Sequence, residues 1–309
     1  MTKCKFTINN ELVGMRLDSA LALLLDINRT QASKLITQNL VTVKFSGKKL
    51  KAQKSLVLKQ NTEITIAELK QDNKKAETPF VKIPVIFEDH DILIIDKPAE
   101  VASHPSVGWE GPDLVTSLAH QGHKISTSGA PERQGIVQRL DVGTSGVMVL
   151  AKSERAYSVL KDYFRNREVT KIYHTLVQGM PDPLEGTIDA PIARHPKHDW
   201  KFAVMEGGRN AVTHYELLEA FGRATLFEVH LETGRTHQIR VHFAAINHPC
   251  VADPLYGSNL KLTNELKLTR QWLHAHKLGF VHPTTGEQVE FISDYPKELA
   301  VSLEILRNP

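Results

Sequence analysis

The sequence QRLDVGTSGVMVL, residues Gln138–Leu150, decides the fold of the larger part of this chain. Its Gly-rich half predicts a turn, and the four apolar residues at its end predict a buried strand. Asp141 is therefore expected at the mouth of a core, with Arg139 on the same side if the segment is extended. Taken alone, the pattern also fits an aspartate that closes a local turn through its side chain, which is the commoner use of such a segment.

Outward from this stretch, strands outnumber helices. Val85–Phe87 and Ile92–Ile95 predict a hairpin, and Lys171–Val177 and Ala224–Leu231 alternate as half-buried strands. Ser153 is expected to cap a helix, and the inner face of that helix comprises Ala156, Val159, Leu160, Tyr163 and Phe164. No regular strand–helix repeat is visible, which favours an α+β fold with a mixed sheet over a Rossmann fold or a barrel.

Charge divides the chain into a basic and a mildly acidic part. Residues 1–70 hold 12 Lys and Arg against 5 Asp and Glu, whereas residues 71–309 hold 26 against 30. Met15–Asn39 predicts two short helices, the second capped by Thr30, and strands follow at 41–43 and 64–66. A net charge of +7 on a small α/β module favours contact with nucleic acid, because the segment lacks the apolar face of a membrane-surface helix. A solvated Lys-rich face explains the composition equally well.

A third stretch, Glu232–His242, brings Arg235, His237 and Arg240 within six positions. If a helix begins near Thr236, His237 and Arg240 share one of its faces. Two guanidinium groups and an imidazole suit recognition of phosphate or carboxylate. A structural network of salt bridges is the alternative.

Several classes of protein are disfavoured by what the sequence lacks. Cys4 and Cys250 are the only cysteines, so neither a disulfide scaffold nor a Cys-rich zinc site is expected, and the reducing cytoplasm is the expected compartment. No apolar run reaches the ~18 residues of a membrane span. Phosphate-binding and dinucleotide-binding glycine motifs and a serine nucleophile elbow are absent. The close histidine pairs lack a third ligand in register, so no metal is expected; they are His120/His123, His195/His198 and His274/His276.

Four motifs in a fixed order resemble the RluA/RluD family of pseudouridine synthases. They are Arg-Leu-Asp with Thr-Ser-Gly in 139–146, Lys-x-Tyr in 171–173, Thr-Gly-Arg-Thr-His-Gln-Ile-Arg-Val-His in 233–242 and Leu-His-Ala-His-Lys-Leu in 273–278. The resemblance implies an S4-like RNA-binding module in 1–70, a linker in 71–82 and a catalytic domain in 83–309 with a mixed, largely antiparallel sheet. It implies no cofactor, and RNA as the partner.

The resemblance also implies roles for individual residues. Asp141 would be the catalytic aspartate, Arg240 would pair with it, and Tyr173 would stack on the flipped uracil and assist proton removal from C5. Arg139 would fill the gap that the extruded uridine leaves in the RNA stack. Further contacts with RNA are expected from Thr144, Arg235, His237, Gln238 and Leu278, and in the module from Arg29, Lys34, Lys48, Lys49 and Lys51.

The sequence departs from the family pattern at Gln138, Glu100 and Val142-Gly143, where the family usually has His, Gly and a charged pair, and at Asn39 in the module. These departures leave a catalytically silent ribosome-assembly factor as an alternative to the enzyme. A hydrolase is disfavoured because no second carboxylate lies in a fitting motif. Large-subunit (23S) ribosomal RNA is the expected substrate and transfer RNA the next; no obligate protein partner is evident, and we expect a cytoplasmic monomer.

Overall fold

The structure, a computed structural model, describes residues 4–8, 12–25, 29–67, 79–105, 109–198 and 200–308, with the backbone alone at 29–31 and 131. Contacts between Cα atoms divide the chain into two units, Met1–Glu77 and Thr78–Pro309. Most of the expected linker, up to residue 78, lies outside the described residues, as does the side chain of Arg29.

The first unit packs two helices on a small antiparallel sheet, whose strand order in the described residues is β1-β4-β2-β3. Its elements are β1 (Cys4–Thr7), α1 (Leu17–Leu24), α2 (Arg29–Thr37), β2 (Val41–Phe45), β3 (Lys48–Leu50) and β4 (Glu63–Ile66). Leu17 and Leu21 of α1 meet Leu35 of α2 and Ile64 of β4 in the buried core. β1 is not among the elements predicted from the sequence. The predicted cap at Thr30 is wrong, because α2 already includes Arg29 and Thr30.

The second unit contains the rest of the described elements. The strands are β5 (Val85–Glu88), β6 (Ile92–Lys97), β7 (Ser145–Ala151), β8 (Thr170–Gln178), β9 (Glu185–Asp189), β10 (Ile192–Arg194), β11 (Phe202–Val204), β12 (Val212–Ala220), β13 (Ala224–Leu231), β14 (Leu273–Val281) and β15 (Gln288–Ile292). The helices are α3 (Leu114–His120), α4 (Glu154–Asn166), α5 (Gln238–Ala245), α6 (Leu260–Glu265) and α7 (Lys297–Arg307).

A nine-stranded sheet dominates the described part of this unit. Its order is β5-β6-β7-β14-β8-β13-β12-β9, and β15 pairs with β14. Of these pairings only β7 with β14 is parallel, so the expected mixed, largely antiparallel sheet is confirmed. Gly146 lies at this parallel contact with a φ of +121°, and a Cβ there would come within 2.2 Å of the Ala275 carbonyl oxygen. The close approach of β7 and β14 therefore requires glycine at this position.

Both faces of β7 are covered, because all seven of its residues are buried. Val147 and Val149 pack with Ala156 and Leu160 of α4, and Met148 and Leu150 pack on the other side of the strand. Ser153 caps α4 as predicted, since its hydroxyl accepts from the Ala156 amide at 3.1 Å. This burial fixes the start of β7, and with it the loop that carries Asp141. None of the described helices combines the length and the apolar character needed to cross a membrane.

Candidate active site

The loop before β7 places Asp141 at the surface, next to buried residues that support the loop. The side chain of Asp141 is 21% exposed, and its carbonyl oxygen accepts from the Thr144 amide at 3.0 Å. The buried basic side chains of Lys97 and Arg270 hold the loop through hydrogen bonds. Lys97 donates to the carbonyl oxygens of Pro98 and Val101 at 2.8 Å and of Val142 at 3.4 Å. Arg270 donates to the Gly143 carbonyl and to the Ser145 hydroxyl, each at 3.0 Å.

Arg240, on the first turn of α5, connects Asp141 to a second carboxylate. Its Nη1 donates to Asp141 Oδ2 at 3.0 Å, while Nε and Nη2 donate to the two oxygens of Asp253 at 2.7 and 2.9 Å. Burial lowers the pKa of Arg240, but Asp253 and then Asp141 outweigh this effect and raise its pKa overall. The guanidinium group therefore stays charged and directs one nitrogen at the Asp141 carboxylate. The pairing that the resemblance implied is present in the geometry.

Asp253 is not among the site residues predicted from the sequence. Its side chain has no exposed surface, and Oδ1 also accepts from the backbone amides of Leu255 and Tyr256 at 2.9 and 3.2 Å. The available signal was a carboxylate directly after the apolar residues Cys250–Ala252, all of them buried in the structure. A buried charge of this kind requires a partner, and Arg240 provides it.

His237 lies beside the same carboxylate. It precedes α5 with a left-handed backbone (φ 58°), and its Nε2 is 3.8 Å from Asp141 Oδ2. Its Nδ1 lies 2.8 Å from the hydroxyl of Tyr256, which itself accepts from the Phe202 amide. Burial lowers the pKa of His237, and the Asp141 charge opposes that effect only in part. The imidazole is therefore neutral at pH 7, and Arg240 remains the cation that pairs with Asp141.

Tyr173 and Asp141 line the same pocket, and Tyr173 forms one of its walls. We call this space the Asp141 pocket; it has a volume of about 70 Å³ and is lined by Arg139, Leu140, Asp141, Thr144, Tyr173, Leu231, Gly234, Arg235, Thr236, His237, Gln238, Ile239 and Leu273. Burial, followed by the charge of Asp141, raises the pKa of Tyr173, so the phenol stays protonated. The pocket thus combines an aromatic ring, apolar walls and a carboxylate, which suits a planar base attached to a sugar.

A second space, which we call the basic cleft, adjoins the Asp141 pocket. It has a volume of about 480 Å³, and both spaces share Arg139, Tyr173, Leu231, Gly234 and Arg235. Arg139 donates a hydrogen bond to the Thr236 hydroxyl and thereby joins the loop before β7 to the loop before α5.

Of the other expected contact residues, the structure brings some to the pocket and leaves others away from it. Arg235 lines both spaces, and its Nε donates to the Asn210 carbonyl. Thr144 and Gln238 line the pocket but are buried, and Gln238 is engaged with Thr213, Thr233 and neighbouring backbone groups. Leu278 is 2% exposed in the core with Val149 and Leu160, and it lines neither space. Lys34, Lys48, Lys49 and Lys51 are exposed on the first unit.

The structure accommodates three of the departures from the family pattern, at Glu100, Gly143 and Asn39. Glu100 has a left-handed backbone (φ 63°) and still donates its amide to the Val142 carbonyl at 2.8 Å. Gly143 faces Gln271, whose Oε1 would lie 2.5 Å from a Cβ at that position. Asn39 likewise has a φ of 58°, a conformation that Asn tolerates well. The Asp141–Arg240 pair is intact beside these substitutions.

One group of possible metal ligands occurs among the described residues. Ligand atoms of Glu216, Glu228 and His230 lie within 4.8 Å of one another on β12 and β13. Glu228 already pairs with His230 at 2.8 Å and with His174 at 3.3 Å. None of these residues lines the Asp141 pocket, so the group has no direct part in its chemistry.

Comparison with known proteins identifies the family. A family model described as RNA pseudouridylate synthase matches residues 91–245. The chain is also 52% identical over 296 residues to an uncharacterized RNA pseudouridine synthase of Mycobacterium bovis, covering 96% of each chain. This chain belongs to the RNA pseudouridylate synthase family. It is therefore an isomerase that forms pseudouridine in RNA, as the RluA/RluD resemblance implied.

Two further relatives extend the comparison. Over 311 residues, this RNA pseudouridine synthase is 35% identical to ribosomal large subunit pseudouridine synthase D of Escherichia coli strain K12, covering 97% of this chain and 93% of that one. Among solved structures, human RNA pseudouridylate synthase domain containing 4 superposes with a TM-score of 0.57 at 25% identity, covering 72% of this chain and 93% of that one.

Proposed function

We propose that this RNA pseudouridine synthase modifies uridine in large-subunit ribosomal RNA and that Asp141 performs the chemistry at the ribose. Relatives named ribosomal large subunit pseudouridine synthase D align over nearly the whole chain, and this supports the substrate. The observation that carries the catalytic assignment is the 3.0 Å pair between Asp141 and Arg240 at a pocket walled by Tyr173.

The reaction needs one ionised carboxylate. The N1–C1′ bond of uridine breaks, the uracil turns, C5 bonds to C1′, and the C5 proton is lost while N1 gains one. Asp141 acts either as the nucleophile at C1′ or as the base at C2′, and the arrangement accommodates both. Glycoside hydrolysis generally uses two carboxylates on opposite sides of the sugar. Among the described residues lining the Asp141 pocket, Asp141 is the one that carries a carboxylate.

Tyr173 supports the flipped base chiefly by stacking. Extruding a base from its stack costs a few kcal/mol, and stacking on an aromatic side chain returns about 1–3 kcal/mol. The raised pKa keeps the phenol protonated, which makes its oxygen a weak base. Assistance in removing the C5 proton therefore has less support in this geometry than stacking.

Arg139 is proposed to change hydrogen-bond partners when RNA binds. The Asp141 pocket is open and adjoins the basic cleft, and Arg139 lines both spaces. Arg139 is exposed and bridges to Thr236 beside the pocket. Release of this hydrogen bond widens the entrance and frees the guanidinium group to occupy the position of the extruded base.

The first unit is proposed to be the S4-like RNA-binding module, with the catalytic domain beginning near residue 83. Its support is the net charge of +7 in residues 1–70 and the exposed lysines on α2 and on the β2–β3 hairpin. Phosphate contacts of this kind position an RNA without reading its sequence. We propose that the enzyme acts as a monomer in the cytoplasm, where its ribosomal substrate would be found.

Tritium release from C5-labelled uridine tests the proposal. Unmodified large-subunit ribosomal RNA and bulk transfer RNA are each incubated with the wild-type enzyme and with the Asp141→Asn variant. We expect release from ribosomal RNA by the wild type only. Release confined to transfer RNA would replace the substrate, and release by Asp141→Asn would remove Asp141 from its role. Binding without release from either RNA would favour the catalytically silent assembly factor.

A further inference from the structure

The segment before β14 contacts the residues that follow Asp141. Arg270, which is 5% exposed, donates to the Gly143 carbonyl oxygen and to the Ser145 hydroxyl, each at 3.0 Å. It also donates to two carbonyl oxygens of its own segment, each at 3.3 Å. All four of these acceptors are neutral, so they leave the charge of a buried guanidinium group uncompensated, and a buried charge requires compensation.

Glu298, on α7, supplies the opposite charge. Its Oε1 accepts from Arg270 Nη2 at 2.7 Å and from Arg270 Nε at 3.3 Å. Among the described residues, Glu298 is the carboxylate that forms an ion pair with Arg270. The side chain of Arg270 is 6% exposed and that of Glu298 is 44% exposed, so the pair spans the boundary between core and surface. The direction of the guanidinium group therefore depends on a residue at the surface.

The packing of α7 limits where the Glu298 carboxylate can lie. Leu299, the next residue, is buried in the same core as Trp272. The indole Nε1 of Trp272 donates to the Ser302 hydroxyl at 2.7 Å, which fixes α7 against the residue two positions after Arg270. Glu298 also lies in the first turn of α7, where the helix dipole favours a carboxylate.

A displacement of Arg270 would reach Asp141 through a short path. Gly143 lies two residues beyond Asp141, and the amide of Thr144 donates to the Asp141 carbonyl oxygen at 3.0 Å. Gln271, next to Arg270, covers Gly143, because a Cβ at Gly143 would lie 2.5–2.9 Å from three atoms of the Gln271 amide group. The turn that carries Asp141 is therefore packed directly against the segment that Glu298 holds.

Like charges make this compensation more necessary. Lys97 donates to the Val142 carbonyl oxygen and so supports the same turn as Arg270. Burial lowers the pKa of Lys97 to about 7, the charge of Asp141 opposes that effect, and the charge of Arg270 adds to it. Two cations that repel each other thus hold one turn, and Glu298 offsets the charge of one of them.

We propose that Glu298 is a positioning residue for the isomerisation, which acts on Asp141 through Arg270 and Gly143. The inference rests on the proposed role of Asp141. Neither Glu298 nor Arg270 lines the Asp141 pocket or the basic cleft, so neither contacts a base or a strand bound there. Loss of the pair should therefore slow the reaction of bound RNA without weakening its binding.

Single-turnover kinetics with saturating enzyme tests this role, on the RNA from which the wild type releases tritium. We expect Glu298→Gln to slow the isomerisation by about 10-fold, less than the ~10²-fold effect of misplacing a reacting group by ~1 Å, because the other hydrogen bonds of Arg270 remain. RNA affinity should stay at the wild-type value. Glu298→Asp keeps the charge and should restore most of the rate. The matched control is Glu304→Gln, which breaks an exposed pair with Arg307 on the same helix and should leave the rate unchanged.

A double variant separates positioning from a general loss of structure. If Glu298 acts through Arg270, adding Glu298→Gln to Arg270→Gln slows the reaction no further. A Glu298→Gln enzyme that is less stable in urea but isomerises bound RNA at the wild-type rate would overturn the role, and so would equal losses of rate and affinity. Because the Glu298 side chain is 44% exposed, its single variants decide the question even where Arg270→Gln does not fold.

Asp141→Asn, measured in parallel, distinguishes this inference from the proposed function. If Asp141→Asn releases no tritium while Glu298→Gln keeps the wild-type rate, the positioning role alone fails. If Asp141→Asn still releases tritium, the proposed function loses Asp141. A slow Glu298→Gln would then assign the positioned group to another residue of the turn, which overturns the role through Asp141.

Discussion

Asp253 accepts two hydrogen bonds from Arg240, at 2.7 and 2.9 Å, and thereby leaves the third guanidinium nitrogen to Asp141 at 3.0 Å. The pair is almost completely buried, and the backbone of the following turn holds Asp253 in place. Arg240 therefore cannot rotate freely, and the Asp141 carboxylate keeps a fixed direction. This arrangement assigns Asp253 a positioning role, since it acts on Asp141 only through Arg240.

Replacing Asp253 tests that role. We expect Asp253→Asn to lower the free energy of unfolding by about 3–5 kcal/mol, because the variant deprives the buried guanidinium group of Arg240 of one of its two carboxylate partners. Urea denaturation measures this loss, and single-turnover kinetics should show slower isomerisation by the folded fraction. Asp162→Asn, which breaks the exposed pair with Arg165, is the control for stability and should change it by less than ~1 kcal/mol. A variant as stable and as fast as the wild type would contradict the positioning role.

Arg240 itself should matter more to turnover than to RNA binding. We expect Arg240→Ala to reduce turnover by about 10²-fold or more, because misplacing a reacting group by ~1 Å has an effect of that size. RNA affinity should change little, since the side chain is only 4% exposed. Arg240→Lys keeps the charge but loses the fork that joins two carboxylates, so it should restore little activity. Equal losses of turnover and RNA affinity would contradict the role given to Arg240.

The ring and the hydroxyl of Tyr173 make separable contributions. Tyr173→Phe retains the aromatic face, whereas Tyr173→Leu removes it, so the leucine variant should lose about 1–3 kcal/mol more in kcat/KM. Steady-state kinetics on ribosomal RNA measures the difference. If the phenylalanine variant is as impaired as the leucine variant, the hydroxyl and not the stacking carries the function of Tyr173.

Lys97 should make stability depend on pH. Burial lowers its pKa to about 7 in the folded protein, against about 10.4 in the unfolded chain. Between these values the unfolded state holds one more proton, so stability rises with pH, by up to about 1.4 kcal/mol per unit. Urea denaturation at pH 7, 8 and 9 should show that the free energy of unfolding of the wild type increases with pH relative to that of the Lys97→Met variant. A difference between the two that stays constant with pH would refute this.

The lysines of the first unit should contribute to the salt dependence of binding. Replacing Lys34, Lys48, Lys49 and Lys51 together by Gln removes four exposed charges, so the log–log slope should fall by roughly three units on the single-strand coefficient of ~0.7. Measuring RNA affinity between 50 and 200 mM salt tests this. An unchanged slope would mean that these lysines form only a solvated face, as the composition alone also allows.

Local pattern predicted those parts of the fold in which one segment determines its own structure. The apolar run after Gly146 is the buried strand β7, and Ser153 caps α4, because both depend on neighbouring residues. The side-chain direction of Leu278, which was predicted to contact RNA but lies in the core, does not follow from local pattern. Whether a strand residue faces a pocket or the core depends on pairing register, and β14 carries an irregularity between Ala275 and Lys277 that no local pattern shows.

The sequence by itself determined the family, the order of the reactive residues and the basic charge of residues 1–70, because motif and charge are written in the order of residues. Tertiary structure alone decided that Asp253 holds Arg240, that Lys97 and Arg270 support the Asp141 loop, and that Lys171 and Gln138 share one cleft. These relationships join segments up to 127 positions apart, and the pairing of β7 with β6 and β14, the pairing of β14 with β8 and the packing around these strands bring them together.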